Sequence, residues 1–206
     1  MRWLGFVSIC VVFLVSGLLM AEVPVAEKPR EVSIAVLVDY RDDTFENELA
    51  IMRAFCEASR VFEKNFGIKF AVKSIQSRTV SSNPQEVLDG DAVIGDMKSW
   101  EKNADVSVAF TRNNFFMKET EISEDGYETV VKTQKSGIAE LLGNRSIIKI
   151  DSFISTTLVH ELGHIFGADH VNEPRSVMSS AGFTPGQTNF DAKSKKVILA
   201  NRDRKF

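Results

Sequence analysis

The sequence predicts a single α+β domain. A continuous apolar run, a periodic helix and an alternating strand follow one another between residues 32 and 76. This order indicates a parallel pair of strands joined by a right-handed crossover. Further on, alternating residues around Asp125 and Gly126 predict a β-hairpin. At 206 residues, the chain is long enough for one ordinary core, divided into two lobes by a cleft.

The first 21 residues predict a secretory signal peptide. Arg2 precedes an uncharged run of 18 residues, and the small residue Ala21 suits the last position before a cleavage site. The alternative is an uncleaved membrane anchor at 3–20, because the run approaches the roughly 20 residues that a spanning helix needs. We expect a secreted, periplasmic or extracellular protein, with a membrane partner only if the anchor remains. Residues 22–31 predict a short extended leader.

The charge balance gives no reason to expect nucleic acid as a partner. Without Arg2, the chain has 24 basic and 28 acidic residues and a formal charge of −4. Of the two cysteines only Cys56 follows the signal segment, so no intramolecular disulfide is expected in the mature chain. Stability must then come from the core and from any bound metal.

The first long helix is predicted from its ends and its apolar positions. It follows a β-branched run at 32–40, which is typical of a strand covered on both faces. Thr44 can cap the helix and Gly67 can end it. Cys56 lies on the apolar stripe, so we expect it to be a small buried residue and not a reactive thiol. The stripe recurs at steps of three and four residues: Phe45, Leu49, Met52, Phe55, Cys56, Phe62 and Phe66.

Five further elements are expected before the histidines. An alternating strand at 68–76 precedes a helix from about 84 to 103 and a strand at 105–111. Two short strands are expected at 137–142 and 146–150.

The predicted hairpin at 117–133 is rich in acidic residues. We expect a solvated hairpin there and not a calcium site, because calcium ligands usually come at loop spacings and this segment has the alternation of strands. The acidic residues are Glu119, Glu121, Glu124, Asp125 and Glu128.

All three histidines of the chain lie in the segment HELGHIFGADH, residues 160–170. Ser152 or Ser155 can cap a helix through this segment, and its two histidines four residues apart then project from one face. Gly167 can end the helix and let a third histidine return to the same ion. Three nitrogen ligands leave an open fourth position, as in catalytic zinc sites. The predicted ligands of one zinc ion are His160, His164 and His170.

Glu161 follows the first of these ligands and is the predicted catalytic base. It is placed to accept a proton from a water molecule at the open position of the metal. Zinc lowers the pKa of such a water to about 7 and polarises a carbonyl group under attack. The chemistry indicated is metal-assisted hydrolysis of an amide. Three histidines at ligand offsets, together with this glutamate and a glycine, argue strongly against ordinary core or surface histidines.

The segment HELGHIFGADH resembles the zinc-binding consensus of the metzincin metallopeptidases. The methionine turn of that family is matched by Met178 in PRSVMSS, at a spacing similar to the matrixin branch. The stretch VIGDMKSWEKNADVSVAFT and the approach TTLVHELGHIFGADH resemble the reprolysin or adamalysin branch instead. Val171 departs from both, because adamalysins carry Asp and matrixins Ser after the third histidine.

The resemblance implies a zincin-like fold for the catalytic domain at 32–206. A twisted, mixed five-stranded sheet would pack on two long helices in an upper lobe, about 32–167, above an active-site cleft. A small lower lobe, about 168–206, would end in a closing helix from Asp191 with Val197, Ile198 and Phe206 inward. Phe183 and Pro185 would wall a substrate pocket. The candidate edge strand for a peptide substrate is Gly137, Ile138, Ala139, Glu140 and Leu141.

The sequence therefore indicates an exported zinc endopeptidase that acts on peptides or proteins. Two alternatives are open at this point. One is a zinc-containing protein that binds peptides without cutting them, and the other is a membrane-anchored protein with a structural zinc site. The open fourth position weighs against the second, because structural sites are usually closed by four protein ligands.

Overall fold

The computed structural model describes residues 28–79, 87–99, 103–122, 125 and 127–206. The predicted signal peptide, most of the leader and Glu124 of the acidic hairpin lie outside these residues. The described part of the chain forms eight strands and four helices: β1 (Arg30–Asp39), α1 (Phe45–Phe66), β2 (Ile68–Arg78), β3 (Leu88–Asp89), α2 (Gly90–Met97), β4 (Val106–Thr111), β5 (Phe115–Ile122), β6 (Glu128–Lys135), β7 (Gly137–Ala139), β8 (Arg145–Lys149), α3 (Ile154–Ile165) and α4 (Ala192–Ala200).

The main sheet is a mixed five-stranded sheet, as predicted. Its strand order is β2-β1-β4-β8-β7, in which the first four strands are parallel and β7 runs antiparallel to β8. The expected parallel pair of β1 and β2 is confirmed, with α1 as the crossover between them. Strand β1 begins earlier than the apolar run suggested, because Arg30 already pairs with Ile68. Strand β7 forms the edge of the sheet.

Both faces of this sheet are covered. Alternate residues of β1, among them Ile34 and Val36, join the large core that α1 and α3 share with apolar residues between 168 and 198. Leu37 points to the other face and packs in a second core with residues of α2 and β5. Strand β1 is therefore buried on both sides, which is why its sequence is almost continuously apolar.

Helix α1 has the predicted ends but a different buried face. Thr44 accepts a hydrogen bond from the backbone N–H of Asn47 at 3.3 Å, and Gly67 ends the helix with a φ of 63°. The prediction for Cys56 is wrong, because this residue is exposed, and Phe45 is 77% exposed. The apolar positions in the sequence belong to two neighbouring faces of the helix, and only one of these faces is buried. Alanines on the buried face let the helix approach the sheet closely. The buried residues are Asn47, Ile51, Ala54, Phe55, Ala58, Val61, Phe62 and Phe66.

The predicted helix at 84–103 is much shorter in the structure. Leu88 and Asp89 form strand β3 instead, and α2 has only eight residues. Asp89 caps α2 by accepting a hydrogen bond from the N–H of Ala92 at 3.4 Å. Strand β3 pairs with β5, so the predicted hairpin of β5 and β6 is confirmed as part of a second, three-stranded sheet.

The helix that carries the first two histidines, α3, begins without the predicted serine cap. Phe153 is the capping residue and makes no side-chain cap, so the predictions for Ser152 and Ser155 are wrong. The carboxylate of Asp151 accepts a hydrogen bond from the N–H of Phe153 at 2.8 Å instead, which turns the chain into the helix.

The closing helix α4 follows the prediction. Asp191 caps it by accepting a hydrogen bond from the N–H of Ser194 at 2.9 Å. Ile198 is fully buried, Val197 is half-buried and Phe206 packs against the large core. Within the described residues, no helix is long and apolar enough to cross a membrane.

Candidate metal centre

Helix α3 presents two buried histidines toward a common point. The Nδ1 atom of His160 lies 2.7 Å from the carbonyl oxygen of Val177, and that of His164 lies 2.7 Å from the carbonyl oxygen of Ala168. A carbonyl oxygen can only accept, so each neutral ring carries its proton on Nδ1. The Nε2 atom of each ring is left with a lone pair, as a metal ligand requires.

The third histidine reaches the same point from the loop after α3. Gly167 takes a φ of 88°, and its N–H donates to the carbonyl of His164 at 2.8 Å, which reverses the chain. The Nε2 atom of His160 then lies 3.0 Å from that of His164 and 3.2 Å from that of His170. Tetrahedral zinc with bonds of 2.0–2.1 Å separates its nitrogen ligands by about 3.3 Å. The three rings therefore fit one such ion.

The three histidines are the candidate metal-binding group of the described residues. Among the described residues, His160, His164 and His170 are the one group of three or more side chains whose ligand atoms lie close enough to hold a metal ion. His160 and His164 are buried, whereas His170 is exposed at the rim. The centre is therefore anchored in the core and open on one side.

Burial keeps the two helical histidines neutral. It lowers the pKa of His160 to about 3, with a further decrease from the charge of His164. Burial likewise lowers the pKa of His164 to about 4, and the charge of His170 acts in the same direction. Both rings are therefore neutral at pH 7, with Nε2 free of a proton, which is the form that binds a metal ion.

Glu161 is buried directly beside strand β7. A Cβ atom built on Gly137 would collide with Oε1 of Glu161, and would lie 2.6 Å from Cγ2 of Thr157. Glycine is therefore the residue that lets the edge strand approach this carboxyl group. Burial raises the pKa of Glu161 to about 8, and the positive charge of Lys135 partly opposes that shift.

A cleft of about 510 Å³ opens over the histidines and Glu161. Strand β7 forms one side of it, and the loop after Met178 forms another. The ring of Phe183 lies in this loop, 5.2 Å from the ring of His160, whereas Pro185 is exposed. The hairpin of β5 and β6 contributes Met117, Thr133 and Lys135 to the lining.

The edge strand presents its backbone to this cleft over a shorter stretch than predicted. Strand β7 ends at Ala139, and the next residue, Glu140, forms an ion pair with Arg145 at 2.5 Å. Leu141 lies beyond the strand but still lines the cleft.

The pairing of β7 with β8 shows which backbone groups remain for another strand. The carbonyl of Ser136 accepts from the N–H of Lys149 at 2.8 Å, and the N–H of Glu140 donates to the carbonyl of Arg145 at 3.1 Å. Backbone groups alternate along a strand, so those of Gly137 and Ala139 point away from β8.

Met178 lies beneath the histidine-bearing helix and is fully buried. Its N–H donates to Oγ of Ser176 at 3.1 Å, and its carbonyl accepts from the N–H of Val171 at 2.9 Å. A Cβ atom on Gly163 would lie 2.6 Å from Sδ of Met178. The methionine therefore packs against α3 between His160 and His164.

Two residues of this site were missed by the sequence analysis as partners of the metal centre. Gly137 was expected only as part of the edge strand, and Lys135 was not singled out. Both owe their place to contacts between elements far apart in the chain, so no local pattern marks them. They lie two residues apart at the β6–β7 junction, and it is the packing of β7 beside Glu161 that brings both into the cleft.

The family model described as metallo-peptidase family M12 (Reprolysin_5) matches residues 28–201. The chain therefore belongs to metallo-peptidase family M12. This membership agrees with the three-histidine centre and identifies the class as zinc metallopeptidases, which act on peptides or proteins. No curated protein sequence matches the chain.

Several solved structures share the fold at low sequence identity. Archaemetzincin from Methanopyrus kandleri has a TM-score of 0.62 at 16% identity, over 87% of this chain and 99% of that one. Archaemetzincin from Archaeoglobus fulgidus, complexed with malonate, has a TM-score of 0.51 at 13% identity, over 81% and 99%. Metalloproteinase-II from Bacteroides fragilis has a TM-score of 0.52 at 14% identity, over 84% of this chain and 53% of that one.

Proposed function

We propose that the chain is an exported zinc endopeptidase of the metzincin type. His160, His164 and His170 bind one zinc ion, Glu161 is the catalytic base and Met178 supports the site. The observation that carries this proposal is the convergence of three Nε2 atoms, 3.0 and 3.2 Å apart, at the floor of a cleft that also contains Glu161. The reprolysin name of the matching family model supports that branch over the matrixins.

In this proposal Glu161 moves the protons of the reaction. When bound, zinc acts as a Lewis acid that polarises the scissile carbonyl and acidifies water. The carboxylate of Glu161 accepts a proton from the attacking water and delivers it to the leaving amine. A neighbouring cation favours the charged form of a carboxyl group, so the metal would oppose the effect of burial on the pKa of Glu161.

The backbone of β7 positions the substrate. Gly137 and Ala139 have the N–H and C=O groups that point away from β8, so a peptide can add to the sheet as an antiparallel strand at its edge. Gly137 also contacts Glu161. A peptide that pairs with it would therefore bring an amide bond to the base. Phe183, which lines the cleft beside His160, contributes an apolar wall for a side chain next to the cut.

Export is part of the proposal because of the first 21 residues. Arg2, the uncharged run and Ala21 have the order of a cleaved signal. Mass spectrometry of the protein from its native membrane and external fractions would find a mature amino terminus near residue 22. Intact chains retained in the membrane would indicate the anchor at 3–20 instead.

The test of function compares residues 22–206 with Glu161→Gln, both loaded with zinc, on a mixed peptide library read by mass spectrometry. Glu173→Gln is the control, since Glu173 is an exposed carboxylate in the loop after His170. We expect cleavage by the parent and the control, and a loss of about 100-fold or more in Glu161→Gln with zinc still bound at one per chain. A folded, zinc-loaded parent that binds peptides without cutting them would support the peptide-binding alternative.

A further inference from the structure

The geometry points to Lys135 as the residue that binds a carboxylate of the substrate at the second residue on the C-terminal side of the cut bond. This inference rests on the proposed peptidase function and names the class of peptide that the cleft prefers. The carboxylate can belong to an Asp or Glu side chain or to the free C-terminus of the peptide.

Lys135 lies at the junction between the hairpin and the edge strand. It is the last residue of β6, opposite Phe115, and precedes Gly137 by two residues. Of the described residues that line the cleft, it is the only lysine or arginine. Glu161 and His160 line the same cleft as Lys135, so the ammonium group is available to a peptide bound at the reacting centre.

The present partner of Lys135 can be exchanged at little cost. Its Nζ atom lies 2.6 Å from Oε1 of Glu119, and the two side chains are 30% and 41% exposed. Ion pairs this exposed contribute little to stability. Glu119 also accepts a hydrogen bond from the hydroxyl of Thr133 at 3.1 Å, so its carboxylate keeps a partner when the lysine turns to a substrate.

The direction of the bound peptide determines on which side of the cut bond Lys135 lies. A peptide that pairs antiparallel with β7 runs toward its own C-terminus as β7 runs toward its N-terminus. Gly137 contacts Glu161, and an extended chain advances about 3.3 Å per residue. Ser136 continues the pairing of β7 with β8 through its bond from Lys149, and Lys135 comes directly before it. Lys135 therefore lies on the side of the leaving amine, near the second residue after the cut.

The test compares matched peptides that differ at one group. One pair carries Glu or Gln at the second position after the cut, and a second pair has a free or an amidated C-terminus at that position. Lys135→Met is compared with Lys118→Met, because Lys118 lies on the same hairpin, is 51% exposed and forms its own ion pair with Asp89 at 2.6 Å. Lys118 belongs to the other face of the hairpin and does not line the cleft.

We expect the parent to prefer the carboxylate in at least one pair by about tenfold in kcat/KM, as for hydrogen bonds to charged groups. The ratio of kcat/KM between the two peptides of that pair should fall to near one in Lys135→Met and stay unchanged in Lys118→Met. The pair that shows the preference identifies the source of the carboxylate. Equal cleavage within both pairs by the parent, or an equal loss in the two variants, would overturn the assignment.

A binding measurement separates this inference from the proposed function. The four peptides are titrated into zinc-loaded Glu161→Gln by calorimetry, with and without Lys135→Met. Tighter binding of a carboxylate peptide that requires Lys135 supports the inference even if the parent shows no turnover. Equal binding of both members of each pair overturns it, whether or not the parent cleaves peptides.

Discussion

Gly163 and Met178 are in direct contact beneath the metal centre, where a Cβ atom on Gly163 would lie 2.6 Å from Sδ of the methionine. The same Cβ atom would lie 3.2 Å from a ring carbon of Phe190. Helix α3 therefore has a glycine between its two histidines because the floor of the site leaves no space for a methyl group. The contact couples the packing of Met178 and Phe190 to the position of the helix that carries His160 and His164.

Replacing Gly163 by alanine should destabilise the protein in spite of the higher helix propensity of alanine. We expect a decrease of about 1–3 kcal/mol in the free energy of unfolding, because core overpacking shifts side chains and backbone. Gly95→Ala is the matched control, since a Cβ atom there has no neighbour within 4 Å and α2 should gain about 0.5–1 kcal/mol. Urea denaturation of both variants measures the difference. Equal stabilisation in the two variants would show that Met178 moves aside without lowering the free energy of unfolding.

Metal binding should stabilise the fold through the three histidines. A ligand present at about 1,000 times its dissociation constant adds about 4 kcal/mol to the stability of the folded state. We expect zinc to raise the thermal midpoint of the parent with a stoichiometry of one, and EDTA to reverse the effect. His164→Ala should remove most of the shift, because it deletes a buried ligand. An undiminished shift in this variant would locate the zinc elsewhere, for example on the acidic hairpin.

The grouping of the three histidines was predictable from the sequence because its parts are local. His160 and His164 are related by one helical turn, and the positive φ of Gly167 returns His170 to them. A helical turn and the reversal after it therefore bring three histidines together without knowledge of the rest of the fold. The parallel pair of β1 and β2 was predictable for a similar reason, since strand, helix and strand follow one another directly.

Features that depend on distant partners were not predictable in the same way. Cys56 belongs to an apolar stripe that the fold leaves outside, because the sheet packs on the neighbouring face, where Ala54 and Ala58 lie. Strand β3 has only two residues and exists through its pairing with β5. The contact between Gly137 and Glu161 joins a strand and a helix that no local pattern relates.

The metal-free protein should be most stable near pH 6.5. In the unfolded chain His160 and His164 take up protons below 6.5, whereas in the folded state they do so only near 3 and 4, so acidification favours unfolding. Glu161 acts in the opposite sense, because the folded state retains its proton up to about 8 and the unfolded chain loses it above 4.5. Below pH 6.5 the two histidines change the free energy of unfolding more steeply with pH than the one carboxyl group, so stability rises with pH. Above pH 6.5 only the carboxyl group still contributes, so stability falls.

Thermal midpoints in EDTA between pH 5 and 8.5 measure this profile. Glu161→Gln should lose the decline above pH 6.5, since glutamine does not titrate, and should keep the decline on the acid side. Identical profiles for the parent and this variant would show that Glu161 is not the group that responds to alkali.

Arg204 should fix the position of the edge strand relative to α3. Its guanidinium group donates to the carbonyl of Ile165 at 2.5 Å, to that of Gly143 at 2.9 Å and also to that of Leu142. One side chain thereby joins the C-terminal end of α3 to the turn that follows β7. Leu142 has a φ of 55° and donates its N–H to the carbonyl of His164 at 3.1 Å, so the same turn also contacts a ligand residue.

Arg204→Lys should lower stability by about 1–3 kcal/mol, because an ammonium group cannot reproduce the planar fork and leaves carbonyl groups without a partner. If the proposed substrate pairing with β7 is correct, KM for peptides should rise more than kcat falls. Lys205→Met is the control, since Lys205 is the adjacent exposed cation, and it should leave both quantities unchanged. Urea denaturation and peptide kinetics on the zinc-loaded variants measure the two effects. A loss of stability with KM unchanged would limit Arg204 to a structural role, because the position of β7 would then not depend on the turn that it holds.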